Sequence, residues 1–252
     1  MAERGCKVVG VDSSSIIVAA ARSLGVSAFL IDGHMLPFTG EFDVVFSNAT
    51  LHPVKRRNEV MVEVWRTLMP GSRFVGEFGG FGNVSVILNA IQSVLSSRGI
   101  ALPCPWFFPK LEEYRSLLEA GGFEVKSAAL IPGPTPLSGD ISNWLETTAK
   151  PYLSALSVDG KQACIGEVVT KLRSVLYEAQ GHSHADYVRL RCTATKAGGA
   201  VRYRGEWSPT RTLFGLGSPA PWPARVSRLA FERLRVIGYK ETQDNHDGRR
   251  IR

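Results

Sequence analysis

Lys7-Val8-Val9-Gly10-Val11-Asp12 is an apolar segment that ends in a carboxylate, and three serines, Ser13-Ser14-Ser15, follow it. Short segments rich in valine are typical of buried parallel strands. Open α/β sheets use an acid at the end of such a strand to bind the ribose hydroxyls of a nucleoside. Asp12 is therefore predicted to bind a ribose, unless it only caps the helix that the serines begin.

The first half of the chain alternates between strand and helix patterns. Alternation of this kind with short links predicts a parallel sheet with right-handed crossovers, and hence an α/β fold. Apolar segments rich in Val, Ile or Phe predict strands over residues 7–11, 28–31, 42–47 and 73–78. Helices are predicted from Ser13 or Ser14 to about Leu24 and over residues 58–69, the second ended by Pro70-Gly71.

The second half contains further helices and two more strands. Residues 131–136 are rich in proline and are predicted to form a rigid loop that cannot join a sheet interior. The predicted elements are helices over residues 84–97 and 111–120, a strand over 123–130, a mostly helical insert over 141–179 and a last strand over 187–196. The insert, with Trp144, Tyr152 and Leu153, is either a lid or a bundle that covers the sheet. Residues 1–196 are thus one predicted domain, and residues 197–252 a mostly disordered tail.

The formal net charge of +7 comes mostly from that tail. Residues 197–252 contain 11 basic and 5 acidic side chains, whereas the other 196 residues contain 19 and 18. Because the predicted domain is nearly neutral, nucleic-acid binding through a basic face has little support. Binding through the tail alone is an alternative that deletion of the tail would test.

The composition indicates an ordinary globular protein, with 44% hydrophobic and 21% charged residues. No apolar run approaches the roughly 18 residues of a membrane span. The charged start Met1-Ala2-Glu3-Arg4 is not followed by the apolar core of a secretory signal. Four widely separated cysteines predict neither a disulfide nor a zinc framework, so a cytoplasmic location is expected. His182 and His184 alone make a poor metal site, and no metal is predicted.

Four segments taken in order carry a resemblance to a known family: VVGVDSS, DGHMLPF, FDVVFSNATLH and LMPGSRFVGEF. Their order and spacing resemble the Rossmann-like class I methyltransferases that use S-adenosylmethionine. Later segments, FPKLEEYRSLLEAGGFEV, PTPLSGDISNWLETTAKPYL and ADYVRLRCTATK, are similar to the trans-aconitate methyltransferase-like branch. The resemblance covers residues 2–196 and implies a mostly parallel sheet with an antiparallel last strand and helices on both faces.

The resemblance implies that S-adenosylmethionine is the cofactor, and it gives roles to residues at the strand ends. Asp12 would bind both ribose hydroxyls, because a carboxylate is an acceptor with two oxygens. Asp32 would bind the adenine amino group and Gly33 would let the backbone approach the ring, although Asp-Gly is also a common turn. Leu36 and Phe38 would form apolar walls for the base. The predicted cofactor-binding set is Asp12, Ser13, Asp32, Gly33, His34 and Asn48.

His52 is the catalytic candidate, since it follows the third strand at the edge where open α/β sheets bind ligands. It could equally be a structural histidine, and Pro53 replaces the tryptophan that the family usually carries next to it. The expected reaction is O-methylation of a small molecule. A carboxylate acceptor needs no base, whereas a hydroxyl acceptor would need His52. Gly133 stands where related enzymes carry an arginine, which argues against a polyacid substrate.

The strand and glycine-rich turn that such enzymes place before Asp12 are not found ahead of Lys7. The missing strand belongs in the middle of the sheet, where about ten unpartnered backbone groups would cost about 1–3 kcal/mol each. That cost is comparable to a whole-domain stability of about 5–15 kcal/mol. The expectation is a chain truncated at its N-terminus. The alternatives are that the neighbouring strands close the gap, or that a tail segment near residues 213–216 fills it.

Two other classes of function remain open. A nicotinamide-dependent oxidoreductase also places an acid after its second strand, but the segment at residues 32–38 and the last strand favour a methyltransferase. A degenerate paralogue would fold without binding cofactor and would be non-enzymatic. Calorimetric titration with each cofactor would separate these classes, and the oligomeric state is left open.

Overall fold

A computed structural model describes residues 6–137, 139–177 and 183–197, together with the backbone of residues 236–240. Most of the described strands belong to a single sheet, and two short strands form a separate pair. The strands of the sheet are β1 (Lys7–Asp12), β2 (Ser27–Leu30), β3 (Phe42–Asn48), β4 (Leu68–Gly79), β5 (Phe123–Pro132), β8 (Val188–Lys196) and β9 (Val236–Lys240). The pair consists of β6 (Thr135–Pro136) and β7 (His184–Ala185).

The sheet has the order β2-β1-β9-β3-β4-β8-β5. β1 pairs in parallel with β2, and β3 pairs in parallel with β4. β8 runs antiparallel between β4 and β5, and β9 runs antiparallel between β1 and β3. In the described part of the chain, five strands of this sheet therefore point one way and two point the other. The predicted mostly parallel α/β sheet with an antiparallel last strand in the domain is confirmed.

The helices lie close to their predicted positions. Capping side chains mark several starts: Ser14 Oγ accepts from the backbone N–H of Ile17 at 3.5 Å, and Asp140 Oδ1 accepts from that of Ser142 at 2.9 Å. The helices are α1 (Ser15–Ser23), α2 (Arg57–Thr67), α3 (Ser85–Ser96), α4 (Leu111–Ala120), α5 (Ile141–Thr148), α6 (Lys150–Leu153) and α7 (Val158–Leu176). None of the described helices is both long and apolar enough to cross a membrane.

Helices cover both faces of the sheet. Val45 of β3 packs in the same cluster as Met61 of α2 and Leu118 of α4, which are fully buried. Its neighbour Phe46 packs instead against the cluster that contains Val18 of α1. Successive strand residues point to opposite faces, so α1 lies on one face and α2 and α4 on the other.

The predicted helical insert forms a bundle with α3. The predicted insert over residues 141–179 is divided into three helices, α5, α6 and α7. Of these, α7 packs along α3. Tyr152 and Leu153 are buried in this bundle, and Arg98 of α3 pairs with Glu167 of α7 at 2.8 Å. Residues 178–182, where the insert was expected to end, lie outside the described residues.

Two boundaries differ from the predictions for physical reasons. β4 begins at Leu68, where a helix was predicted to continue, and it runs through Pro70 and Gly71. The register between β3 and β4 shifts there, and a bulge of this kind tolerates a proline. Ile131 and Pro132, predicted to lie in a loop, extend β5 instead. β5 is an edge strand of the sheet, which is the other place where proline is accepted.

β9 occupies the central position of the sheet that the sequence left without a strand. Its register pairs Val11 with Val236 and Lys7 with Lys240 on one side, and Val44 with Tyr239 on the other. The neighbouring strands therefore do not close the gap, and a segment from the predicted tail fills it. Residues 213–216, the segment considered for this role, lie outside the described residues.

Candidate active site

The carboxyl ends of β1 and β2 open into a cavity of about 390 Å³, which we call the nucleoside cavity. Two carboxylates, a histidine and two basic side chains contribute its polar surface. It is lined by Val11, Asp12, Ser13, Ile31, Asp32, Gly33, His34, Thr50, Leu51, Pro53, Val54, Lys55, Arg56 and Val60. Five of the predicted cofactor-binding residues therefore lie around one space, although they come from two separate strand ends.

Asp12 is the buried acid of this cavity, with 1% of its surface exposed. Its Oδ1 accepts a hydrogen bond from the backbone N–H of Ser14 at 2.7 Å. The carboxylate thus supports the start of α1, as the capping interpretation predicts, and it also lines the cavity. The two roles are compatible, because a carboxylate has about four acceptor positions.

Asp32 and His34 form a tight pair on the opposite wall. Asp32 Oδ1 accepts from the backbone N–H of His34 at 2.9 Å and lies 2.6 Å from its ring Nδ1. These two hydrogen bonds, the backbone one first, lower the pKa of Asp32 below its ordinary value. Because a carboxylate only accepts, Nδ1 must donate, which leaves the ring Nε2 as an acceptor in the neutral form. Nε2 is buried and has no hydrogen-bond partner within the described residues.

Gly33, Leu36 and Phe38 differ in their relation to this cavity. Gly33 lines it, and a Cβ there would lie 3.7 Å from Val60, an ordinary contact, so the local packing does not require glycine. Leu36 and Phe38 surround a separate small space with Phe42 and are not among the residues that line the nucleoside cavity. Leu36 is 4% exposed and belongs to the core.

A second cavity of about 200 Å³ lies beside the ends of β3, β4 and β8, and we call it the aromatic cavity. Its rings are in mutual contact: Phe108 lies 5.9 Å from His52 and 6.0 Å from Trp106 between ring centres. Trp144 Nε1 donates to the hydroxyl oxygen of Tyr187 at 2.8 Å. The lining residues are Ala49, His52, Phe78, Gly79, Asn83, Val84, Trp106, Phe108, Trp144, Thr148, Tyr187 and Arg189.

The segment 49–53 separates the two cavities and contributes to both. Ala49 and His52 line the aromatic cavity, whereas Thr50 and Pro53 line the nucleoside cavity. The backbone N–H of Ala49 donates to the carbonyl of Glu77 at 2.7 Å, and Phe107 N–H donates to the carbonyl of His52 at 2.8 Å. These bonds fix the segment to β4 and to the loop that carries the aromatic rings.

Backbone strain is concentrated at the aromatic cavity. Among the described residues, the non-glycine positions with a positive φ are Ala49 at 52° and Val84 at 47°, and both line this cavity. A β-branched residue in the left-handed region is a genuine outlier. Strain of this kind costs about 1–3 kcal/mol and clusters at ligand sites, which makes this cavity a candidate ligand site.

Asn48 and His52, predicted together, take different positions. His52 lines the aromatic cavity, beside the segment shared with the nucleoside cavity. Asn48 ends β3 and lines neither cavity, but its Oδ1 is buried without a hydrogen-bond partner within the described residues. Asn83, Trp106, Phe108, Tyr187 and Arg189 were not predicted as site residues, although Phe108, Tyr187 and Arg189 lie in segments that carry the resemblance.

Comparison with known proteins agrees with this arrangement. A family profile described as "Methyltransferase domain" matches residues 1–76. The uncharacterized methyltransferase C70.08c of Schizosaccharomyces pombe is 38% identical over 204 residues, which cover 75% of this chain and 78% of that protein. The chain belongs to the class I S-adenosylmethionine-dependent methyltransferase family.

The fold of this methyltransferase is supported by one solved structure with a TM-score of 0.50. The YcgJ protein of Bacillus subtilis superposes with a TM-score of 0.50 at 15% identity, covering 76% of this chain and 82% of that one. A candidate methyltransferase from Bacillus halodurans gives a TM-score of 0.49 at 16% identity, covering 75% and 82%. At these identities the likeness concerns the Rossmann-like fold alone.

The family implies S-adenosylmethionine as cofactor, and the nucleoside cavity of this methyltransferase has suitable groups for its adenosine part. Ribose hydroxyls and the adenine amino group are donors, and the cavity offers the carboxylate acceptors Asp12 and Asp32, with His34 Nε2 as a further acceptor when the ring is neutral. His34 Nε2 is buried and is left by the described residues for an external donor. The chemistry of the donor and acceptor set therefore fits.

Proposed function

We propose that this chain is an S-adenosylmethionine-dependent methyltransferase that methylates an oxygen of a small molecule. The observation that carries the proposal is the pair of cavities that share the segment 49–53. One has the acceptors that an adenosine needs, and the other is a small, ring-lined space at the same edge of the sheet. Open α/β sheets bind their ligands at this edge. The similarity of the later segments to the trans-aconitate methyltransferase-like branch agrees with a small-molecule substrate.

Each predicted binding residue has a distinct role in this proposal. Asp12 accepts from the ribose hydroxyls, with Ser13 beside it, and Asp32 with His34 accepts from the adenine amino group. A hydrogen bond to a charged group contributes about 1.5–3 kcal/mol, so two such acids dominate the affinity. Gly33 leaves space for the base. Asn48, whose Oδ1 is buried beyond the end of β3, completes the predicted set.

His52 is proposed to receive a proton from the acceptor. S-adenosylmethionine, when bound, supplies a methyl group from a sulfonium, and the sulfur keeps the electron pair of the broken S–C bond. A hydroxyl that forms the new O–C bond must lose its proton, and His52 lines the cavity where that hydroxyl would lie. The rings around His52 leave a small space that would restrict the positions the acceptor oxygen can take. A carboxylate acceptor would use the same space without a base.

Calorimetric titration with S-adenosylhomocysteine tests the proposal most directly. The chain is expected to bind it with 1:1 stoichiometry, and Asp12→Asn and Asp32→Asn are each expected to weaken binding at least about tenfold. Asp159→Asn, an exposed acid in the first turn of α7, is the matched control and keeps the wild-type affinity. Transfer of labelled methyl from S-adenosylmethionine to a panel of small hydroxy acids and carboxylates then tests the reaction. Equal affinity in all variants would contradict the proposal.

One observation favours a second candidate, a methyltransferase-like protein without catalytic activity. Because β9 is antiparallel to β1, its first residue, Val236, lies at the ligand edge, opposite Val11. A parallel strand in the same place would end at this edge and turn there toward the ligand. If the sheet position of β9 blocks cofactor entry, titration gives no heat with S-adenosylhomocysteine while the chain remains folded by circular dichroism.

A further inference from the structure

The aromatic cavity has features that define the chemistry of its ligand. At about 200 Å³ it is smaller than the 300–1,000 Å³ typical of drug-sized ligands. Trp106, Phe108, Trp144 and Tyr187 supply flat apolar walls. A space of this size and lining suits one aromatic ring with short substituents, since ring pairs prefer stacked or edge-to-face contacts.

Tyr187 has a hydroxyl hydrogen available for a ligand. An indole N–H only donates, so the Tyr187 oxygen must be the acceptor in its 2.8 Å hydrogen bond with Trp144. The hydroxyl hydrogen therefore points to another group, and in the described part of the chain the structure gives it no acceptor. Because the Trp144 bond fixes the oxygen, Tyr187 is a donor held in position at the wall of the cavity.

Arg189 adds a positive charge over the ring of Tyr187. Its guanidinium lies 5.4 Å from the centre of the Tyr187 ring. Glu77 is shared between two arginines: Arg191 Nε lies 2.6 Å from Glu77 Oε2, whereas Arg189 Nη1 lies 3.5 Å from Glu77 Oε1. One carboxylate faces two guanidinium groups, and the closer bond goes to Arg191. Together the two guanidinium groups carry one more positive charge than Glu77 neutralises, and Arg189 holds the longer of the two contacts.

The nearest acid on the same strand end is already engaged elsewhere. Asp186 Oδ2 accepts from the backbone N–H of Val86 at 2.7 Å and lies 3.4 Å from Ser85 Oγ, at the start of α3. Oδ2 lies at the helix N-terminus, where the helix dipole favours an anion, whereas Oδ1 is buried and has no hydrogen-bond partner within the described residues. Among the described residues that line the aromatic cavity there is no Asp or Glu. The carboxylate that faces Arg189, that of Glu77, lies outside the lining of the cavity and is shared with Arg191.

The charged end of the cavity is separate from the segment shared with the nucleoside cavity. Gly79 of β4 pairs with Arg189 of β8, and Ala49 follows β3 on the other side of β4. Adjacent strands lie about 4.8 Å apart, so the backbones at Ala49 and Arg189 are about 10 Å apart across two spacings. An anionic group held at Arg189 is therefore an anchor, and a different group of the ligand reaches His52.

We infer that the methyl acceptor is a small aromatic monocarboxylate that carries a ring hydroxyl. Its carboxylate accepts from Tyr187 and pairs with Arg189, its ring packs against Trp106 and Phe108, and its hydroxyl lies toward His52. The hydroxyl oxygen forms the new bond to the methyl carbon and its proton passes to His52. The inference rests on the proposed function, because it names the acceptor class of the same site.

Three probe molecules of similar size test the class of ligand. 4-Hydroxyphenylacetate carries a ring, a hydroxyl and one carboxylate; tyramine replaces the carboxylate with an ammonium; and tricarballylate is a polyacid without a ring. Binding is measured by calorimetry to the full chain, with and without S-adenosylhomocysteine. 4-Hydroxyphenylacetate is expected to bind at least tenfold more tightly than either of the others. Equal or tighter binding of tyramine or tricarballylate overturns the inference.

Variants identify the residues that recognise the carboxylate. Arg189→Gln is expected to weaken 4-hydroxyphenylacetate binding at least tenfold and Tyr187→Phe about fivefold, the latter with the ring wall intact. Arg115→Gln on α4, an exposed arginine paired with Glu112, is the control and leaves the affinity unchanged. Unchanged affinity in Arg189→Gln, with circular dichroism showing a folded protein, overturns the inference.

The same titrations separate this inference from the proposed function. S-adenosylhomocysteine binding depends on Asp12 and Asp32 and is expected to be the same in Arg189→Gln, Tyr187→Phe and wild type. If S-adenosylhomocysteine binds but 4-hydroxyphenylacetate does not, the acceptor class is wrong and the proposed function stands. If 4-hydroxyphenylacetate binds as expected but S-adenosylhomocysteine does not, the cavity's ligand class is supported and the proposed function fails.

Discussion

Gly79 and Phe108 are in such close contact that a Cβ on Gly79 would lie 2.5 Å from Phe108 Cε1. The same Cβ would lie 2.6 Å from Asn83 Nδ2. The Asn83 side chain is held in place there, because its Oδ1 accepts a hydrogen bond from the backbone N–H of Val188. Real Cβ atoms do not approach other atoms so closely. The size of the aromatic cavity therefore depends on the absence of a single methyl group at position 79.

Gly79→Ala is expected to weaken binding of the acceptor probe 4-hydroxyphenylacetate without changing the affinity for S-adenosylhomocysteine. The added methyl pushes the Phe108 ring and the Asn83 amide into the aromatic cavity, which reduces a space of only about 200 Å³. Calorimetry should show at least about tenfold weaker acceptor binding, since overpacking costs about 1–3 kcal/mol. Gly133→Ala is the matched control, because a Cβ there meets nothing within 4 Å. Equal acceptor affinity in both variants would show that the cavity is not the acceptor site.

The pKa of Asp32 should distinguish the contributions of its two hydrogen bonds from His34, one from the backbone and one from the ring. Both bonds lower the pKa of Asp32, and the backbone N–H is the larger cause. His34→Ala removes only the ring, so the pKa of Asp32 is expected to rise but to stay below 3.8. Carboxyl carbon NMR across pH 2 to 6 measures this. A return to the ordinary value in His34→Ala would mean that the ring bond is the main cause.

The lowered pKa of Asp32 makes the free energy of unfolding depend on pH. Because its pKa is lower in the folded chain, the stabilisation from Asp32 is complete above the ordinary value of 3.8 and is lost as the pH falls through the folded value. His34→Ala moves this loss to higher pH. Because the pKa in the variant lies nearer to 3.8, its stabilisation is smaller, so the free energies of unfolding of wild type and variant should differ more at pH 6 than at pH 3, where both have lost part of it.

Arg191→Gln should weaken binding of the aromatic acid even though Arg191 does not line the aromatic cavity. Without Arg191, Glu77 is left to pair with Arg189 alone, and the positive charge next to Tyr187 is neutralised. The expected effect is about two- to fivefold, the size of a partly exposed ion pair. A titration series in 50 and 300 mM salt checks it, since screening should reduce the difference. Tighter binding in Arg191→Gln would contradict the charge argument.

Gly238→Pro tests the position of β9 between two strands. Gly238 pairs with Val9 of β1 and with Val45 of β3, so its backbone lies in the interior of the sheet. Proline removes a ladder hydrogen bond there and is expected to lower the free energy of unfolding by about 3 kcal/mol or more. Gly238→Ala retains the N–H and serves as the comparison in chemical denaturation. Similar unfolding midpoints for the two variants would argue that β9 is not an interior strand.

The alternating part of the fold could be predicted from the sequence because its signals are local. Val9 and Val11, or Val60 and Val64, sit at spacings that place both members of the pair on one face of a strand or helix, and all four pack in the same cluster. The acids at the strand ends could be predicted for a similar reason. Asp12 and Asp32 directly follow apolar segments, and parallel strands bring such ends to one edge.

The aromatic cavity could not be predicted in this way. Phe108 and Tyr187 lie about 80 residues apart and come from a loop and from the start of a strand, with no shared period. Their contact depends on how α3, α5 and β8 pack, which no local pattern contains. Leu36 and Phe38 show the opposite error: their position next to Asp32 suggested a binding wall, whereas core packing draws them toward Phe42.

The position of β9 also sets the order in which the protein can be made. Residues 7–12 leave the ribosome early, but the strand that pairs with them in the middle of the sheet is synthesised more than 220 residues later. Until then, the backbone groups on the facing edges of β1 and β3 lack the partners that β9 later supplies. Exposed edges of this kind promote aggregation. The facing edges of β1 and β3 are therefore open to pairing with other chains until residues 236–240 have been made.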